Sequence, residues 1–194
     1  MAYFYYFREK YYFTMDKISL GICSFALVSP IAMQAQESAE RTLPNVVLIY
    51  ADDIGFGDLE CYGAIGVKTP NVNSLAANGL RFTNAHAVAS TSTPSRYSLL
   101  TGEDPWRKQG TDVAAGNAAM IVTPEQYTVA DVFKDAGYTT AAFGKWHLGL
   151  GSETGKQDWN GEISPALADI GFHYSYIMAA TADRVPCVFI ENGR

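Results

Sequence analysis

Asn45-Val46-Val47-Leu48-Ile49-Tyr50-Ala51 runs directly into Asp52-Asp53-Ile54-Gly55-Phe56-Gly57-Asp58. The first part is β-branched and apolar without polar alternation, which predicts a strand buried on both faces of a parallel sheet. In open α/β sheets the reactive groups collect beyond the carboxyl ends of the strands. Asp52 and Asp53 are therefore the first candidate site residues. Adjacent carboxylates repel unless something positive compensates them, and hard oxygen donors suit Ca²⁺ or Mg²⁺ rather than a thiol-seeking metal. Asp before Gly is also ordinary turn chemistry, so a plain turn fits the same letters.

Working outward, Thr69 offers an N-cap, Pro70 a first helical position, Val72, Leu75 and Ala76 a helical repeat, and Gly79 a stop. A second helix is expected from about Pro94, carrying Tyr97, Leu99 and Leu100 and ending at Gly102, with Ser92 and Thr93 at its amino terminus. A third starts at an N-cap on Thr128 and runs through Val129, Val132, Phe133 and Ala136 to Gly137. It leads into a second expected strand, Tyr138-Thr139-Thr140-Ala141-Ala142-Phe143, which ends in Gly144-Lys145-Trp146-His147-Leu148-Gly149. Residues 152–165 read as a polar surface loop, and Val185-Pro186-Cys187-Val188-Phe189-Ile190 opens another strand. Strand, helix and strand in this order predict an α/β sandwich around a mainly parallel sheet. No internal repeat and no linker interrupts it.

The composition bounds the function. With 194 residues and 48% hydrophobic content the chain can bury a core, and a net charge of −6 excludes a positive field that collects nucleic acid or anionic lipid. Lys17, the apolar run from Ile18 to Val28 and the small-residue stretch Ile31-Ala32-Met33-Gln34-Ala35 have the layout of a signal peptide, residues 1–35, cleaved after Ala35. The run is shorter than the ~20 apolar residues of a bilayer span and Pro30 interrupts it, so a periplasmic or secreted bacterial protein without a stable membrane anchor is expected. Ala2-Tyr3-Phe4-Tyr5-Tyr6-Phe7 is too aromatic for a charged leader start, which makes residues 1–14 a start-site artefact ahead of Met15. Beyond the leader only Cys61 and Cys187 remain, and the sequence leaves their pairing open.

Ser92-Thr93-Pro94-Ser95-Arg96 puts hydroxyls at a helix amino terminus, where free N–H groups and the helix dipole favour an anion. Arg96, one turn along, carries a fork that matches oxyanions. The string by itself also describes an ordinary Ser/Thr cap. Lys145 and His147, two apart after a strand, point the same way if the segment is extended and so reach one site.

Taken together, Ala51-Asp52-Asp53-Ile54-Gly55, then Ser92-Thr93-Pro94-Ser95-Arg96-Tyr97-Ser98-Leu99-Leu100-Thr101-Gly102, then Gly144-Lys145-Trp146-His147-Leu148-Gly149 resemble the formylglycine-dependent sulfatase family in order and spacing. The resemblance extends from Asn45 to Arg194 and includes Asp183-Arg184-Val185-Pro186-Cys187. It implies an alkaline-phosphatase-like α/β fold and hydrolysis of sulfate esters on sulfated glycans or small aryl sulfates. By position it makes Ser92 the residue oxidised to formylglycine. It makes Asp52, Asp53 and the modified Ser92 ligands of a cation, Ca²⁺ or Mg²⁺. Arg96 would steady the formylglycine hydrate, Lys145 contact the sulfate, and His147 hydrogen-bond the nucleophilic hydroxyl. Serine instead of cysteine at position 92 resembles the variant matured by a radical enzyme of anaerobic bacteria, an implied partner. The family completes its metal site with an Asp-Asn pair, another His and another Lys further along, so residues 36–194 are expected to be the N-terminal portion of a catalytic domain. Two alternatives remain: a phosphatase or phosphodiesterase of the same superfamily using unmodified Ser92 or Thr93, and a non-catalytic truncated remnant.

Overall fold

The computed structural model describes residues 43–194 and the backbone of a two-residue strand, Tyr3–Phe4. The expected signal peptide otherwise lies outside the described residues. The chain forms two compact units, Ala2–Thr83 and Asn84–Arg194.

In the first unit, β1 (Tyr3–Phe4) pairs antiparallel with β2 (Ile49–Tyr50). The expected doubly buried strand over 45–51 is thus only two residues long, and Val47 and Ile49 are 68% and 58% exposed. A strand of that kind needs neighbours along both edges and cover on both faces, and among the described residues it has one short antiparallel partner. Two 3₁₀ turns, Phe56–Asp58 and Glu60–Tyr62, lead to α1 (Pro70–Asn78), whose limits follow Pro70 and Gly79 as the sequence implies. Glu60 fastens this helix: its carboxylate accepts from Thr69 N at 2.6 Å and Asn73 Nδ2 at 2.8 Å. The Lys68 ammonium first, then the Thr69 N–H, hold Glu60 below the usual carboxylate range.

The second unit contains α2 (Ser92–Thr101), α3 (Val129–Asp135), β3 (Ala141–Lys145), β4 (Tyr174–Met178) and β5 (Phe189–Glu191). β3 pairs parallel with β4, and β4 antiparallel with β5, so the sheet is mixed. Helix α2 begins at Ser92 rather than near Pro94 because Thr91, not a later residue, has the extended N-cap geometry. Pro94 then sits in the first turn, where a missing N–H costs nothing. Helix α3 follows its expected cap: the Thr128 hydroxyl accepts from the Ala130 and Asp131 N–H groups, and the Asp131 carboxylate from Thr128 N at 3.0 Å.

The second strand starts at Ala141 rather than Tyr138. Thr140 is held off the ladder by the 171–173 turn, with its hydroxyl donating to Gly171 O and its N–H to His173 Nδ1 at 3.1 Å. β4 was not expected from sequence; its buried positions are Ser175 and Ile177, and the polar one breaks the apolar period. The last strand is only Phe189–Glu191, at the end of the expected run. The core lies around Tyr97, Val122, Leu148, Leu150, Leu167 and Ile177, all nearly inaccessible.

Candidate active site

Strand β3 ends at Lys145, and the chain then turns through Trp146 and His147 while still bonded to the strand beside it. Trp146 N donates to Met178 O at 2.9 Å and His147 N to Ala179 O at 3.1 Å. His147 has φ +59°, a left-handed conformation uncommon for a residue with a Cβ and found where surrounding structure overrides the strain. The expectation that Lys145 and His147 face one way by strand alternation therefore does not hold, because His147 is outside the strand. Gly149 makes the turn possible. It has φ +70°, and a Cβ there would come within 1.9 Å of Ala119 O. The Trp146 indole N–H closes the turn on Gly149 O at 2.7 Å.

Helix α2 brings its first turn to the same place. Ser92 Oγ lies 3.1 Å from His147 Nδ1 and accepts from Arg96 Nε at 3.0 Å. Arg96 Nη1 donates to Lys145 O at 2.8 Å, so one guanidinium ties the candidate nucleophile to the end of β3. On the other side of the ring, His147 Nε2 is 3.0 Å from Ala114 O. A carbonyl only accepts, so Nε2 carries the hydrogen and Nδ1 of the neutral ring is left to accept the Ser92 hydroxyl proton.

Beneath this pair, Thr93 is fully buried. Its hydroxyl donates to His147 O at 2.9 Å and accepts from Ala114 N at 3.0 Å. Thr93, His147 and Ala114 thus form a closed set in which each is bonded to the other two. Burial lowers the His147 pKa from its ordinary value; the Ala114 carbonyl opposes this, and the charges of Lys145, Arg184 and Arg96 reinforce it. His147, 2% exposed, is therefore neutral near pH 7.

Four candidate residues, Ser92, Arg96, Lys145 and His147, are gathered in the second unit. Asp52 and Asp53 belong to the first. Asp53 is exposed, with φ +55°, and Asp52 half-buried. Among the described residues no group of three or more His, Cys, Asp or Glu forms a metal-holding cluster. The two carboxylates have the donor chemistry for a hard cation but are fewer than the six to eight oxygens such an ion takes. Cys61 and Cys187 are both free. Thr93 is read from sequence only as a helix-terminal hydroxyl and alternative nucleophile, and Ala114 is not singled out at all. Their roles arise from contacts between residues far apart in the chain, for which no local signal exists.

The sulfatase family model matches residues 44–184, and the chain belongs to that family. It is similar to an N-acetylgalactosamine-6-O-sulfatase of Bacteroides thetaiotaomicron, with 54% identity over 161 residues covering 83% of this chain and 31% of that protein. It is also similar to human arylsulfatase A, with 43% identity over 147 residues covering 74% of this chain and 27% of that protein. A solved structure described in connection with the metabolism of glycosaminoglycans by Bacteroides thetaiotaomicron aligns with TM-score 0.72 and 54% identity, over 75% of this chain and 30% of that one. The α/β class read from the sequence is the class of these structural neighbours. The chain spans about a third or less of the length of these relatives.

Proposed function

We propose that the protein hydrolyses sulfate esters, with Ser92 as the residue converted to formylglycine and a sulfated sugar or small aryl sulfate as substrate. The observation that carries this reading is the convergence of Ser92, Arg96 and His147 at the amino terminus of α2 within a chain of the sulfatase family. The relative acting on a 6-O-sulfated N-acetylgalactosamine supports a sulfated sugar in particular.

Oxidised to the aldehyde and hydrated by one water, position 92 would offer a geminal hydroxyl for attack on sulfur, and Asp52 and Asp53 are the residues that would contribute ligands to a divalent cation supplying Lewis acidity. Residues of this chain would contribute as follows. The free N–H groups and dipole of α2 favour an anionic ester. Arg96 fixes the oxygen of residue 92 and is itself braced on Lys145 O. Neutral His147 holds Nδ1 ready to take a proton from that oxygen and later return it, the behaviour of a general base tuned below its solution pKa. Lys145, at the end of β3, is the ammonium proposed to contact the sulfate. Conversion of Ser92 calls for a radical maturation enzyme, and the leader proposed for residues 1–35 calls for export to the periplasm or beyond.

The test is release of inorganic sulfate from N-acetylgalactosamine 6-sulfate and from nitrophenyl sulfate, by protein made in an anaerobic host that matures Ser-type sulfatases. Activity that disappears in Ser92→Ala supports the proposal. A folded, modified protein that releases sulfate from neither compound contradicts it.

A further inference from the structure

The loop leaving the carboxyl end of β4 carries a cation that the site as described does not use. Arg184 closes the turn begun at Thr181, its N–H donating to Thr181 O at 3.2 Å. Two contacts fix where this loop lies. It starts at Ala179, whose carbonyl accepts from His147 N. It also passes so close to Gly116, two residues beyond Ala114, that a Cβ there would come within 2.4 Å of Val185 O and 3.3 Å of Arg184 Cβ. The loop is therefore held against His147 itself and against the segment that carries Ala114.

The Arg184 Nε atom is buried and has no hydrogen-bond acceptor. Orphaned buried donors are rare, and one on a charged group calls for an acceptor. Arg96 is committed to Ser92 Oγ and Lys145 O, and the Asp183 carboxylate accepts from the Thr181 hydroxyl. The charges of Lys145, Arg184 and Arg96 all act on His147, and those of Arg184 and Lys145 also act on the Asp183 carboxylate. An anionic oxygen supplies the acceptor that the orphan donor lacks.

We propose that Arg184 is a sulfate-binding residue, whose guanidinium donates through its buried Nε–H to an anionic oxygen of the ester beside Lys145 and the amino terminus of α2. This rests on the sulfate-ester reading given above. The planar fork suits a tetrahedral oxyanion better than an ammonium does, so Arg184→Lys is not a conservative change here.

Sodium sulfate is titrated into the ¹⁵N-labelled chain at constant ionic strength, and the Arg184 Nε–H resonance is identified by its loss in Arg184→Lys. The expected result is a saturable shift of that resonance. Arg184→Met should weaken sulfate binding about tenfold, the scale of one charge-assisted hydrogen bond, with no fall in melting temperature. If the backbone amides of Ser92 to Ser95 shift while Arg184 Nε–H stays put, the proposal is overturned and the sulfate site stands. If the resonance moves with N-acetylgalactosamine 6-sulfate but not with inorganic sulfate, it is also overturned, since the contact is then to the sugar. No shift anywhere with either compound removes the sulfate-ester reading and this proposal together.

Discussion

Ser92 and His147 are 55 residues apart in sequence, and the Oγ of one lies 3.1 Å from the Nδ1 of the other. The direction of the hydrogen bond is set from the far side of the ring, because Ala114 O can only accept and so assigns the ring hydrogen to Nε2. The serine hydroxyl therefore donates to His147 and accepts from Arg96. This relationship makes the reactivity of position 92 depend on a neutral imidazole.

His147 has a lowered pKa in the folded protein, and an unfolded histidine titrates near ~6.5. Between the two values the unfolded chain binds more protons, so stability rises with pH in that window. The contribution is fully present above ~6.5 and is lost as pH falls toward the folded value. The melting-temperature advantage of the unaltered protein over His147→Gln should thus be larger at pH 8 than at pH 5.5. An advantage that grows on acidification would mean that His147 is charged in the fold.

Thr93 holds His147 O and Ala114 N through one hydroxyl. Thr93→Val keeps the shape and removes both bonds, leaving two buried polar groups unpaired at roughly 1–3 kcal/mol each. Chemical denaturation should show a loss of about 2–6 kcal/mol, and Thr93→Ser, which keeps the hydroxyl, should recover most of it. Equal losses in the two variants would place the role of Thr93 in its methyl group instead.

Gly149 combines a left-handed backbone with a 1.9 Å approach of any Cβ to Ala119 O. Gly149→Ala must displace either the 118–121 segment or the turn carrying His147, at a cost on the order of 3 kcal/mol or more. Gly102 is also left-handed, at φ +69°, but a Cβ there meets nothing within 4 Å. Gly102→Ala should lose only about 1 kcal/mol, and thermal melts of the pair check the difference.

Arg96→Lys retains the charge but cannot serve Ser92 Oγ and the Lys145 carbonyl with one rigid fork. In the proposed reaction its kcat/KM should fall about tenfold to a hundredfold, with a smaller change in melting temperature. Unchanged kcat/KM would make the guanidinium a surface feature.

The parts of this architecture that were legible in the sequence are those written locally. Pro70 with Gly79 bounds α1, and Thr128 with Asp131 caps α3, because caps are interactions between residues three or four apart. Pro94 misled the start of α2, since proline is tolerated through the first turn and not only at its first residue. The apolar run from Asn45 to Ala51 records a capacity for burial, which becomes a strand only where a partner pairs with it, here at Ile49 and Tyr50. Ser92, Arg96, Lys145 and His147 are candidates through the order of their motifs in the sequence. Ala114 carries no periodicity or motif, and the part that Thr93 plays in holding His147 emerges only from the folded contacts.

The central claim is that Ser92 is a formylglycine precursor, and the most direct measurement is the mass of the tryptic peptide Phe82 to Arg96 from protein made in an anaerobic host with Ser-type maturation machinery. Loss of two hydrogens, localised to Ser92 by fragmentation, is the predicted result. An unmodified serine in a host that converts other Ser-type sulfatases would contradict it.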